Sequence, residues 1–209
     1  MQEKKRDAAS LKLLGGRLCL DYVNTLDWRG TANPHEFLNT YQDLVDWSRH
    51  VGICTRQEAG QLIRGAGQSV ADAKMVLSRA IELRETIYRL FSANIFNRKP
   101  LKKDLLSFNK YISRSMGDSQ IVRVQGTYAW DHSGNKTKLD WILNPIIRSM
   151  ADILVSDELR KIKACADSAC GWLFIDVSRN QSRRWCDMKD CGNRAKAMRF
   201  YQKKRTRLR

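Results

Sequence analysis

Four cysteines in the last quarter of the chain have the spacing of a metal site. They form two close pairs, Cys165-x4-Cys170 and Cys186-x4-Cys191, with fifteen residues between the pairs. Zn²⁺ prefers four thiolates at the corners of a tetrahedron, and two close pairs brought together by a fold supply them; a four-residue gap stands at the wide end of the usual spacing. A closed set of four leaves no open position for a substrate, so the chemistry points to a structural ion. The other two cysteines, Cys19 and Cys54, are isolated and read as small buried thiols of a helical core.

The elements that must position these ligands can be read around them. Gly171–Val177 is a strand candidate, residues 178–182 a turn, and Arg183–Cys186 its returning strand. Cys191-Gly192-Asn193 starts a last helix, where a thiolate meets free amides and the positive end of the helix dipole. A knuckle, a hairpin and a helix that brings the last ligand look like a treble-clef finger. A module so small buries little apolar area, so zinc supplies much of its folding free energy. On that reading a Cys186→Ser change unfolds the finger and spares the rest.

Charge collects at the same end. The chain has 209 residues and a formal net charge of +16, and residues 179–209 hold twelve Lys or Arg against Asp187 and Asp190, giving +10 of the total. A local excess of this size calls for a polyanionic partner. On a helical wheel Ala197, Met198 and Tyr201 fall on one side, expected to pack on the finger. Lys196, Arg199, Lys203 and Arg207 fall on the other, expected to face phosphates, with Arg183, Arg184 and Arg194 adding donors nearby.

The preceding 150 residues are read as mainly helical. Tyr41, Leu44 and Val45 mark a helix over residues 40–50, and Thr55-x-x-Glu58 is a capping box whose helix runs to about Arg64, with Gly65 and Gly67 as stops. The longest helix opens near Ser69 and is limited by Pro100, and another carries Leu101, Leu105, Phe108 and Ile112. Ile121–Trp130 and Lys136–Leu143 are expected to pair as a β-hairpin, and Asn144-Pro145 reads as an N-cap followed by Pro at the first helical position. The whole is therefore α+β, mainly α: a helical domain with a hairpin over residues 8–160, then a zinc finger ending in a basic helix over 161–209. Near the start, Asp21, Asn24, Thr25 and Asp27 form a polar cluster. It is a candidate ligand or partner site, although such residues more often hold turns and cap helices.

Two motifs resemble known families. Cys165-x4-Cys170-Gly-Trp-Leu-Phe-x-Asp-x-Ser-Arg-Asn, followed by Arg183-Arg184-Trp185-Cys186 and Cys191-Gly192-Asn193-Arg194, resembles the CGNR zinc finger. Gly15-Gly16-Arg-Leu-Cys-Leu-Asp21-Tyr-Val-Asn24-Thr25-Leu-Asp27-Trp28-Arg29 looks like the ABATE domain that precedes it. The resemblance implies that Cys165, Cys170, Cys186 and Cys191 bind one zinc ion, and that the chain is a stress-induced bacterial transcription regulator. Cys19 and Met198 depart from the family pattern, the latter where a basic residue is usual.

These readings converge on a nucleic-acid-binding regulator. DNA is the favoured partner over RNA, and the N-terminal domain is expected to dimerise or sense a small-molecule effector. RNA or ribosome association through the same helix, or docking of an acidic protein, are the alternatives. An enzyme is not expected: His35, His50 and His132 share no motif, and there is no phosphate loop or nucleophile elbow. No apolar run reaches the ~20 residues of a membrane span, and Met1–Ser10 lacks a signal peptide's apolar stretch, so a cytoplasmic location with reduced thiols is expected.

Overall fold

The structure is a computed structural model that describes residues 7–117, 119–131 and 136–207, without the side chains of residues 203 and 205–207. The long helix α4 (Val70–Ile95) is its axis. Ser69 caps it, and Ala73, Val76, Ala80, Leu83, Ile87, Leu90 and Phe91 recur at three- and four-residue steps and are buried. Around it pack α1 (Leu18–Val23), α2 (Tyr41–His50), α3 (Arg56–Gln68) and α5 (Lys102–Gly117). Helix α6 (Asn144–Leu154) closes the bundle against α1 and α5.

Local chemistry sets the helix starts. Thr40 and Thr55 each accept from the amide three residues on, and Asp43 and Glu58 reach back to the threonine amides. Asp43 completes a capping box that the sequence reading did not single out. Two glycines expected to stop α3, Gly65 and Gly67, lie inside it, because the chain continues helically to Gln68. Asn144 is also corrected. It is already helical and follows a 3-10 turn, Trp141–Leu143, so it does not act as the N-cap.

The expected hairpin forms elsewhere. Strands β3 (Gln120–Val124) and β4 (Thr127–Asp131) pair antiparallel inside the stretch read as one strand. Gln125 and Gly126, at φ 47° and 85°, make the two-residue turn whose left-handed backbone suits the strand twist. Trp141–Leu143 of the supposed second strand is the 3-10 turn, and residues 132–135 of the expected connection lie outside the described set. Two further short strands, β1 (Leu26–Asp27) and β2 (His35–Glu36), bracket a loop containing Trp28, Arg29 and Gly30.

The C-terminal part is built on β5 (Ile162–Ala164) and β6 (Leu173–Ile175), paired as Ile162 to Ile175, Lys163 to Phe174 and Ala164 to Leu173. The hairpin thus encloses the first cysteine pair at its tip instead of following it. Residues 183–185, expected as the returning strand, form no ladder, although the Arg184 carbonyl accepts from Ala166 at 2.8 Å. Residues that could pair with β6 were already available just before Cys165. A π turn, Met188–Gly192, leads into α7 (Asn193–Arg207). Trp172, Leu173, Phe174 and Ile175 belong to the same contiguous core as the helical bundle. Among the described residues, no helix is long and apolar enough to cross a membrane.

Candidate metal centre and nucleic-acid interface

Cys165 follows β5, Cys170 precedes β6, Cys186 ends the long loop, and Cys191 lies in the π turn. All four are buried and unbridged, and their sulfurs lie within 4.8 Å of one another. Cys186 Sγ is 3.6 Å from the sulfurs of both Cys170 and Cys191. Zn–S bonds of ~2.3 Å in a tetrahedron put neighbouring sulfurs ~3.8 Å apart, so the arrangement fits one zinc ion; a disulfide needs ~2.05 Å. The four cysteines picked out by spacing are thus brought together as a single site. Four thiols this close share their protons, which lowers the pKa of Cys165 and raises that of Cys170. Such a cluster needs a cation before all four can be thiolates. Cys19 and Cys54 stand apart in the core, where burial pushes their thiols up to about 12 and about 11.

The first knuckle is held from outside the finger. The amides of Arg29 and Gly30 donate to the carbonyls of Cys170 and Ala169 at 3.3 and 3.2 Å. A Cβ on Gly30 would lie 1.7 Å from the Ser168 oxygen, so only glycine permits this approach. The Arg29 guanidinium runs back to Glu85 on α4 at 2.7 Å and stacks 4.2 Å from the Tyr88 centroid. Behind Glu85, the buried Arg84 pairs with both oxygens of Glu36 at 2.6 Å.

Three members of the polar cluster near the start are committed to structure. The Asn24 side chain makes two 2.9 Å hydrogen bonds, accepting from the Leu173 amide and donating to its carbonyl, so it acts as a third strand beside β6. Asp21 accepts from the Gly15 amide at 2.8 Å, and Thr25 donates to Tyr22 O while accepting from Arg84. Asp27 accepts from the Trp28 amide at 2.8 Å and also lines a cleft against the finger.

Asp176, fully buried, is a structural residue that its place in the finger motif alone does not reveal. One of its oxygens accepts from the Ser178 amide and hydroxyl, the other from Lys163 Nζ and the Arg183 amide. Burial alone would raise its pKa, but these donors hold it below the ordinary carboxylate range. It ties the loop between the cysteine pairs to β5. The Asp-x-Ser spacing was the available signal, since such residues build Asx turns.

The expected nucleic-acid contacts separate into two groups. Arg183 makes four hydrogen bonds to main-chain carbonyls, of Leu14, Ile175, Trp185 and Cys186, and stacks 4.2 Å from the Phe174 centroid. Arg194 pairs with Asp167 at 2.6 Å, donates to Cys191 Sγ at 3.3 Å and covers Trp28 at 4.5 Å. Both side chains help to hold the finger together. Arg184, Lys196 and Arg199 are exposed, and the side chains of Lys203 and Arg207 lie outside the described residues. One further expectation is overturned. Ala197, Met198 and Tyr201 do not pack on the finger: every residue from 196 to 202 is exposed, with Met198 at 58% and Tyr201 at 65%. The finger's apolar face is already covered by the bundle, so α7 projects from the π turn.

Comparison with protein families agrees with this geometry. Residues 16–157 match the model of the ABATE family, described as "Putative stress-induced transcription regulator", and residues 161–204 match the CGNR zinc finger. A search of curated proteins returned no match.

Proposed function

Because the chain belongs to the ABATE family and carries a CGNR zinc finger, we propose that it is a zinc-dependent, non-enzymatic transcription regulator that contacts DNA through α7. The observation that carries this reading is the state of that helix. Asn193–Arg207 contains seven Lys or Arg and no acid, and its described side chains beyond Ala195 are exposed. A helix of fifteen residues is about 22 Å long and of a diameter that a major groove admits. With Arg183 and Arg194 holding the finger, Lys196, Arg199, Lys203 and Arg207 carry the phosphate contacts, and Arg184 extends them. The N-terminal domain dimerises or senses an effector, and the protein works in the cytoplasm.

The test is selection of zinc-loaded protein on a random duplex library with excess polyanion competitor. An enriched motif is expected, and its symmetry reports a dimer. Changing Lys196, Arg199 and Lys203 together to Ala should flatten the slope of log affinity against log salt by roughly 0.9 per lost duplex-phosphate contact. An unchanged slope removes α7 as the contact surface. One observation favours a second reading, structured or single-stranded RNA. Phe200 and Tyr201 stand 66% and 65% exposed beside the cations, where they can stack on splayed bases. Tighter binding of an RNA pool than of any duplex would select it.

A further inference from the structure

We propose that the cleft between the N-terminal segment and the zinc finger binds a small organic cation with an aromatic or apolar body, and that its occupant controls how the base of α7 is held. Only the consequence for DNA rests on the function proposed above; the site itself does not.

The cleft has a volume of about 370 Å³, inside the ~300–1,000 Å³ range of small-molecule sites. Leu11, Leu14 and Trp28 line it from the N-terminal domain, and Trp172 from the finger. Its charges decide the class of ligand. Lys12, Lys189 and Arg194 are matched in number by Asp27, Asp187 and Asp190. Sulfur breaks the tie: Cys170, Cys186 and Cys191 also line the cleft, and four thiolates around one Zn²⁺ leave two negative charges there. Of the three cations, Lys12 already bridges Asp187 and Asp190 at 2.8 and 2.6 Å, and Arg194 is bound to Asp167. Aromatic walls with excess negative charge suit a cation–π ligand. Arg194 shows the same chemistry within the protein, with its guanidinium on the Trp28 ring and an N–H on the Cys191 sulfur. Trp28 itself is held at φ 57°, a left-handed conformation that costs a tryptophan energy, and it lines the cleft.

The same residues lead to α7. Asp187, Lys189, Asp190 and Cys191 belong to the turn that starts the helix or adjoin it, and Arg194 lies in its first turn. A ligand wedged between Trp28 and this turn acts on the Lys12 clamp and the Arg194 stack together. If it favours one arrangement of them, it changes DNA affinity, and DNA changes its affinity by the same factor.

The test uses the full zinc-loaded chain and benzyltrimethylammonium as the probe, followed by tryptophan fluorescence, with phenylacetate as an anion of similar size. Saturable binding of the cation, at least ~10-fold tighter than the anion, is expected from the excess charge. Lys189→Glu, at an exposed side chain, should tighten the cation several-fold, and Trp28→Leu should weaken it about 10-fold. Should Trp28→Leu fail to fold, the Lys189 variant still decides the sign. No saturable binding, equal binding of phenylacetate, or no effect of Lys189→Glu overturns the site. Control of α7 is read separately, by amide exchange over Met188–Arg194 with and without saturating probe. Unchanged exchange overturns the coupling. A protein that binds the cation, alters exchange there and yet binds no DNA would refute the proposed function and leave this inference standing.

Discussion

Replacing Asn24 by Ala strips the Leu173 amide and carbonyl of their partners in one step, in a place where water does not reach. Two buried main-chain groups left unsatisfied cost about 2–4 kcal/mol, so urea denaturation of the zinc-loaded variant should show a loss of that order. A loss under about 0.5 kcal/mol would mean that the strand edge finds other partners. Asp21 makes a prediction of opposite kind. Burial pushes its carboxyl up to about 6, against its hydrogen bond from the Gly15 amide and the charge of His50. The folded state therefore keeps a proton that the unfolded chain has lost, and this contribution to stability falls as pH rises from about 4 through about 6. Asp21→Asn keeps an acceptor for Gly15 and has no proton to lose. Its stability relative to wild type should rise across that window, by no more than about 3 kcal/mol. Zinc release at low pH acts on both proteins and cancels in the difference; parallel profiles would refute the shift. The sequence showed Asp21 and Asn24 as residues suited to turns and caps, and for Asp21 that is their visible use. It could not show that the partner of Asn24 lies 149 positions away, because a side-chain amide that mimics a strand leaves no periodic signal.

At the scale of elements, glycines divide into those that permit an approach and those that weaken a helix. Gly30→Ala places a methyl against the main chain of Ser168 and Ala169, which the zinc knuckle cannot move without shifting Cys170. The variant should bind zinc more weakly in a chelator competition, with a lowered melting temperature. Gly67, inside α3 with open space where a Cβ would go, predicts the reverse: Gly67→Ala should stabilise by about 0.5–1 kcal/mol. If both variants behave alike, the close approach at Gly30 is not what holds the loop. The helices were legible because α4 and α6 bury faces at helical spacing, and Thr55-Glu58 announces α3. Two signals misled. Ile121–Trp130 reads as one run of β formers because Gln125-Gly126 is a weaker turn signature than Asn-Gly, although its backbone is the same. Composition places the strand returning to β6 after it, whereas the fold takes Ile162–Ala164 from before the first cysteine, where three residues are too few to show a periodicity.

For the whole molecule, spacing made the finger look self-contained, and that has consequences for how the chain unfolds. Its ligands were legible because four thiolates need only be near each other in two pairs. Its dependence on the bundle was not, because it runs through contacts with no local pattern. Asn24 pairs with Leu173, Gly15 O accepts from the Ile175 amide at 2.9 Å, Arg183 reaches Leu14 O, and Arg29 and Gly30 hold the knuckle. Phe174 and Leu173, with no exposed surface, are shared core. Opening the finger therefore exposes the flank of α1 and removes what orders the Trp28–Gly30 loop, so the expectation that Cys186→Ser spares the N-terminal domain is replaced. Wild type with zinc should unfold in a single transition. Cys186→Ser should lower that transition and release amide protection in α1 and the Trp28–Gly30 loop as well as in the finger. The centre of α4, packed by α2, α3 and α5, should lose protection last. Calorimetry combined with hydrogen exchange reads both. A variant with an early transition confined to residues 161–207, and α1 protected as in wild type, would restore the independent finger. It would also mean that a signal at the N-terminal domain has no mechanical route to α7, since the contacts that make the two parts unfold together are the ones that would carry it.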